Sequence, residues 1–355
     1  MLESFSGRYL EKVRFCANIS DPCIYINSEG ELLIIAVYVD DLIIACKSNM
    51  KIKEIKDSLA SQYRLKDMGE LHYFLGVKVV QDPTKSQIWI GQPSYIENVL
   101  KKFGMEDSKA IDTPMDPNLN LCKATEECTL CDQEQYQSAV GSLLYLSVKT
   151  RPDITYAVNS IARYCANPTI QHWKAVKRIL RYLKGTQDLG NLYRKGGDVG
   201  FVGYSDADWG GDTEGRRSTS GYLFFLGNGV VSWSSKRQSC VALSTAEAEY
   251  IALASATQEA VWLLKLAEDM QIGSKEPMLI YEDNQSTIAM SKNPQFHGKS
   301  KHIDIKFHYV REKCSEIVIE LTYCPTNHMV ADIFTKGLCS DRFKRLRQML
   351  GMCIN

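Results

Sequence analysis

The chain has 355 residues, 45% of them hydrophobic and 24% charged, with 42 basic side chains balanced by 42 acidic ones. That length predicts two or three domains rather than one, and the zero net charge excludes a global electrostatic field, so nucleic-acid contact would need local basic surface. The twelve cysteines lack regular spacing and the start Met1-Leu2-Glu3 is acidic, which predicts reduced thiols in cytoplasm or nucleus rather than secretion.

In chain order, the apolar runs 32–37 and 42–45 flank Tyr38-Val39-Asp40-Asp41, a pattern for two strands with acids at the turn. The stretch is too short, and too acidic, to cross a bilayer, so no membrane partner is expected. Asp favours turns, and an isolated acidic pair there is commonly solvated. Buried beside a hydrophobic hairpin, however, the acids would require a cation. Successive strand residues face opposite ways, which makes Asp40 the expected metal ligand and Asp41 its support. With Asp21-Pro22-Cys23-Ile24-Tyr25-Ile26 upstream, the segment resembles the catalytic hairpin of copia-type LTR retrotransposon reverse transcriptases, with Tyr38, Asp40 and Asp41 as the polymerase motif. The resemblance implies a primer–template partner. It also implies a further metal-binding Asp upstream, yet 37 residues precede Tyr38 and Asp21 does not fit that motif. The expectation is a truncated polymerase module that has lost reverse transcription, within the C-terminal part of a Pol polyprotein.

Ile52, Ile55, Leu59 and Tyr63 recur at helical steps over Met50–Tyr63. Residues 71–80 and 87–90, broken at Asp82-Pro83, predict a second hairpin. It resembles the primer grip of the family, where Gly76 would let backbone approach nucleic acid. From Pro93, Tyr95, Ile96, Val99, Leu100 and Phe103 share a helical face, and a Pro- and Asp-rich linker spans 113–120. Helices are expected from Tyr136 to Leu183 with a break at Arg151-Pro152-Asp153-Ile154, a block that resembles the copia-type connection region, while the helix from Pro93 and the linker after it fit a thumb and its exit. Cys122, Cys128 and Cys131 cluster without the further ligands a zinc site needs. Lys174, Lys177, Arg178, Arg181 and Lys184 form a basic stripe, which reads either as a rail for nucleic-acid phosphates or as a solvated face. Four glycines within 185–197 predict a linker and a domain boundary.

Beyond it, Phe201–Asp208 reads as a strand ending in acids, and 222–226 and 230–233 form a hairpin around Gly227-Asn228-Gly229. A helix capped by Ser244 or Thr245 runs to Met270; strands follow at 278–281 and 317–323, and a closing helix spans 327–335. This order resembles the ribonuclease H fold over 199–338, a mixed five-stranded sheet with helices. Its four-carboxylate motif maps onto Asp206 in SDAD, Glu249 in AEAEYIALA, Asp283 in YEDNQS and Asp332 in VADIFTK. Periodicity alone leaves Asp206 against Asp208 and Glu247 against Glu249 open; the family pattern favours Asp206 and Glu249. The segment 299–308 also resembles a copia-type signature, with His302 or His328 as candidate auxiliary groups.

The resemblance implies an α+β and α/β multidomain chain: partial palm over 1–91, thumb and connection over 92–196, ribonuclease H-like domain over 197–338, tail over 339–355. It implies cleavage of the RNA strand of RNA–DNA hybrids by Asp206, Glu249, Asp283 and Asp332 holding two Mg²⁺, with no small-molecule cofactor. By family the setting would be a virus-like particle. The competing reading is an inert or repurposed nucleic-acid-binding remnant.

Overall fold

The computed structural model describes residues 9–10, 13–27, 29–196, 200–212, 214–272, 276–292 and 301–355, the side chains of 301–304 excepted. The chain divides into two compact units, Met1–Leu71 with Val261–Lys275, and His72–Ala260 with Glu276–Asn355.

In the first unit, β1 (Cys16–Ala17), β2 (Ile24–Asn27), β3 (Leu33–Tyr38) and β4 (Asp41–Cys46) form an antiparallel sheet in sequence order. Alternation in β3 buries Leu33, Ile35 and Val37, and helix α1 (Asn49–Gln62) adds Ile55 and Leu59 to their core. Tyr38 pairs with Asp41 across a two-residue turn. Val39 takes φ 52° there, a strained value for a β-branched residue.

The second unit holds two five-stranded sheets. One, ordered β14-β8-β7-β6-β5, joins the expected hairpin, now β6 (Val77–Asp82) and β7 (Gln87–Gly91), to β5 (Tyr73–Phe74), β8 (Leu189–Arg194) and β14 (Met352–Ile354). Two expectations are thereby corrected. Residues 189–194 are a central strand rather than linker, because Gly190 lets the Trp89 ring and the Ile90 carbonyl press onto the backbone where any Cβ would collide. Residues 339–355 are not a tail: helix α9 (Ser340–Met349) buries Phe343 and Leu346, β14 pairs with β8, and Trp89 Nε1 donates to Cys353 O at 3.0 Å.

Helices α2 (Pro93–Lys102), α3 (Gln133–Lys149), α4 (Thr155–Ala162) and α5 (Ile170–Lys184) form the expected helical block, with a 3-10 turn at Pro152–Ile154. At that turn Arg151 and Asp153, both fully buried, make a two-pronged ion pair at 2.9 and 2.8 Å, braced by Thr186 and the Tyr182 hydroxyl. No boundary separates this block from the second sheet. Leu143, Val158 and Leu180 share one core with Leu223, Val230 and Phe334, and Trp233 Nε1 donates to Ser147 O at 2.8 Å.

That second sheet runs β11-β10-β9-β12-β13: β9 (Phe201–Asp208), β10 (Thr219–Leu226) and β11 (Gly229–Arg237) are antiparallel, while β12 (Met278–Glu282) lies parallel to β9 and β13 (Ile319–Tyr323) parallel to β12. Helix α6 (Thr245–Asp269) follows β11, and α7 (Gln285–Lys292) and α8 (Lys301–Ser315) lie between β12 and β13. The expected mixed five-stranded sheet is present. The expected helix at 327–335 is instead two 3-10 turns, Thr326–His328 and Val330–Phe334.

Candidate metal centre

Alternation along β9 puts Tyr204, Asp206 and Asp208 on one sheet face. Tyr204 stacks on Tyr281 of β12 with ring centroids 4.9 Å apart, which places Asp283, one residue past β12, beside Asp206. Glu249 stands in the second turn of α6 and accepts the Ala207 N–H. Ligand oxygens of Asp206, Glu249 and Asp283 all lie within 4.8 Å of one another. Thr335 Oγ1 donates to Asp206, and Thr326 Oγ1 donates to Asp283 at 2.8 Å. The 3-10 segment reaches this point because Gly221 lies opposite Asp206 on β10; a Cβ there would stand 2.7 Å from Thr335 Cγ2.

Burial pushes the Asp206 carboxyl up to about 7, opposed by Lys336 and assisted by Asp332. Burial, then the charges of Asp206, Glu282 and Asp283, pushes Glu249 up to about 11. Glu249 Oε2 is buried without a hydrogen-bond partner. Three clustered carboxylates, one with an orphaned oxygen, fit a hard divalent cation, since oxygen donors of this kind are what Mg²⁺ takes alongside water.

Asp332, expected as a fourth ligand, stands apart from this group. It is fully buried and neutralised by Lys336 Nζ at 2.6 Å and by the Arg342 guanidinium. Asp208 also lies outside the group, its carboxyl raised by burial against the pull of Lys336. Glu247 closes the start of α6 by accepting Leu243 N–H at 2.7 Å, while its own N–H donates to Ser244 Oγ at 3.2 Å. His328 is exposed, and the His302 side chain lies outside the described residues.

Sequence reasoning missed Glu282. It is fully buried, with Oε2 unpartnered, and is pushed well above the usual carboxylate range by burial and then by Asp206 and Asp283. Its place on the buried face of β12 with Met278 and Ile280 was readable from strand alternation. Lys336 was in view too, four residues after Asp332.

The hairpin acids are corrected. Asp40 and Asp41 are exposed rather than buried, so the desolvation argument for a cation does not apply, and neither joins a group of three metal-binding side chains among the described residues. In the basic stripe, Lys174 and Lys177 are exposed, but Arg178 donates to Thr113 Oγ1 at 2.9 Å and faces Asp116, and Arg181 Nε donates to Lys109 O at 2.7 Å. Those two arginines clamp the 109–116 segment. None of the described helices is long and apolar enough to cross a membrane.

Strand order defines a ribonuclease H-like fold, and it carries three clustered acids that could hold a metal ion. A reverse transcriptase (RNA-dependent DNA polymerase) family profile matches residues 5–117. The Pol polyprotein of transposon TNT 1-94 from Nicotiana tabacum is 39% identical over 355 residues, covering 98% of this chain and 26% of that protein. A putative transposon Ty5-1 protein of Saccharomyces cerevisiae is 32% identical over 252 residues, 70% of this chain and 81% of that one. A foamy viral protease-reverse transcriptase solved with RNA/DNA hybrid aligns at 15% identity and TM-score 0.49 over 82% of this chain and 36% of that one. The chain belongs to the retrotransposon Pol family, and it spans about a quarter of the TNT 1-94 polyprotein.

Proposed function

We propose that this chain is a Mg²⁺-dependent ribonuclease H that cuts the RNA strand of RNA–DNA hybrids. The observation that carries the reading is the convergence of Asp206, Glu249 and Asp283 within 4.8 Å on a ribonuclease H-like sheet. A bound divalent ion would supply charge neutralisation at the attacked phosphate and an activated water. The protein's part is to hold the three oxygens in place: Thr335 fixes Asp206, Thr326 fixes Asp283, and the Ala207 N–H fixes Glu249. Asp332, tied to Lys336 and Arg342, holds these two cations beside the cluster. The three acids form one ion site. A second ion bound through Asp332 would require it to leave Lys336 and Arg342.

Hybrid should be recognised through its A-like shape and the 2′-hydroxyls of one strand rather than by sequence. The test is a panel of labelled RNA–DNA hybrid, duplex DNA and single-stranded RNA incubated with the purified chain and Mg²⁺. Cleavage confined to the RNA of the hybrid supports the reading. Hybrid bound but left intact would favour the remnant that binds without turnover, and cleavage of duplex DNA would redirect the activity to another nuclease class.

A further inference from the structure

Helix α9 lies beyond the 199–338 segment that carries the four-carboxylate motif, yet its side chains reach the acids. Phe343 and Leu346 form its buried face, with the Phe343 ring 5.5 Å from that of Tyr182, and Arg347 donates to the Tyr182 hydroxyl at 2.9 Å. These contacts fix α9 against α5. Arg342 and Arg345, three residues apart and so neighbours on one helix face, reach the 3-10 turn Thr326–His328. Arg345 donates to Asn327 O, while Arg342 Nη2 donates both to Thr326 O at 2.9 Å and to Asp332. Thr326 in turn donates its Oγ1 to Asp283 at 2.8 Å. A single residue, Thr326, thus joins the Arg342 guanidinium to an acid of the cluster.

From these contacts we infer that Arg342 is a positioning residue of the metal centre: by holding the Thr326 carbonyl it keeps the Thr326 hydroxyl on Asp283, and so sets that acid for the ion. The inference rests on the ion site proposed above. Because Arg342 also touches Asp332, its rival role is that of a counter-charge alone, and the two roles predict opposite signs. A cation near a divalent ion repels it, so removing a mere counter-charge would tighten ion binding. Removing a group that orients a ligand instead weakens it, typically about tenfold to a hundredfold. The geometry favours orientation. Without Arg342, Asp332 keeps Lys336 at 2.6 Å as its counter-charge, whereas the Thr326 carbonyl loses the side chain that anchors it to α9.

The test is Mn²⁺ binding to the full chain without nucleic acid, read from the electron paramagnetic resonance signal of the free ion, with circular dichroism confirming the fold of each variant. Arg342→Met keeps the aliphatic stem and should weaken Mn²⁺ binding about tenfold to a hundredfold. Thr326→Val, at an exposed position, deletes the hydroxyl on Asp283 and should weaken it in the same range. The double substitution should go little further than the more damaging single one, since both break one chain of contacts. Lys344→Gln cuts the tie between α9 and Asp112 and should bind as wild type. Unchanged or tighter binding in Arg342→Met would overturn the inference and leave Arg342 a counter-charge. Weak binding in Arg342→Met with wild-type binding in Thr326→Val, or full additivity of the two, would overturn the route through Thr326. Lys344→Gln binding as weakly as Arg342→Met would reduce the effect to general loosening of α9 and overturn it as well. A wild-type chain that binds no Mn²⁺ would overturn the ion site itself, whereas Mn²⁺ bound as expected with hybrid left uncut would overturn only the proposed nuclease activity.

Discussion

Removing metal and raising the pH should destabilise the second unit, and Asp206→Asn should relieve much of the loss. In the folded chain the Asp206 carboxyl is pushed from 3.8 up to about 7 by burial. An acid raised in this way keeps its proton when folded but sheds it when unfolded, so the unfolded state binds fewer protons and stability falls as pH rises. Its contribution is fully present below the unfolded value and is lost progressively up to the folded one. The shift is roughly three units, on the order of 4 kcal/mol at about 1.4 kcal/mol per unit. Glu249, pushed up to about 11, adds to the decline in the same direction over a wider range. Because Asp206 is the largest charge raising Glu249, removing it reduces both slopes. The assay is urea unfolding by tryptophan fluorescence in EDTA at about pH 4.5 and 7.5, then at the higher pH with Mg²⁺, which binds the ionised cluster in the folded state and should restore stability. A wild-type midpoint flat across this range, or an Asp206→Asn profile as steep as wild type, would refute the buried-acid argument.

Asp153→Asn strips the charge that pairs with the fully buried Arg151 and should cost about 3–5 kcal/mol; because Asp153 is held below the usual carboxylate range by Arg151 despite its burial, chemical denaturation of the two proteins should differ far above pH 4. Gly190→Ala should destabilise by several kcal/mol, or prevent folding, as its methyl meets Trp89 and the Ile90 carbonyl; a wild-type melting temperature would contradict the central placement of β8. Replacing the exposed Lys174 and Lys177 with Gln should leave stability within about 0.5 kcal/mol of wild type, whereas Arg178→Ala should destabilise measurably through loss of Thr113 and Asp116. If the lysine pair contacts phosphate, the hybrid-binding salt slope falls by about one unit per lysine; an unchanged slope makes the stripe a solvated face.

Where the sequence spoke through local pattern, it was readable. The β3–β4 hairpin, the α1 face with Ile55 and Leu59, and the five strands of the ribonuclease H-like sheet all follow from period-two or helical spacing with turn residues between them. Long-range pairing was not readable. Gly190 looks like linker because the glycine signal does not reveal that the Trp89 ring needs its space, and Met352–Ile354 carries no sign that its partner is β8. Burial of polar groups misled in both directions. Apolar neighbours suggest burial for Asp40 and Asp41, yet a hairpin turn projects past its own core and leaves both exposed. Glu282 was passed over for Asp283, although alternation places it inward. Asp332 carries the right residue type in the right order, and its partner Lys336 stands in the same VADIFTK segment, but its other partner, Arg342, comes from α9, a helix beyond the region the motif covered.

The most direct test is single-turnover cleavage of an RNA–DNA hybrid in Mg²⁺ by the wild-type chain, Asp283→Asn and Glu247→Gln. The three-acid centre predicts cutting of the RNA strand by wild type, loss of at least about a hundredfold in rate for Asp283→Asn, and near wild-type rates for Glu247→Gln, whose carboxylate only closes the helix start. Equal rates for wild type and Asp283→Asn, or loss of cleavage in Glu247→Gln with Asp283→Asn active, would contradict it.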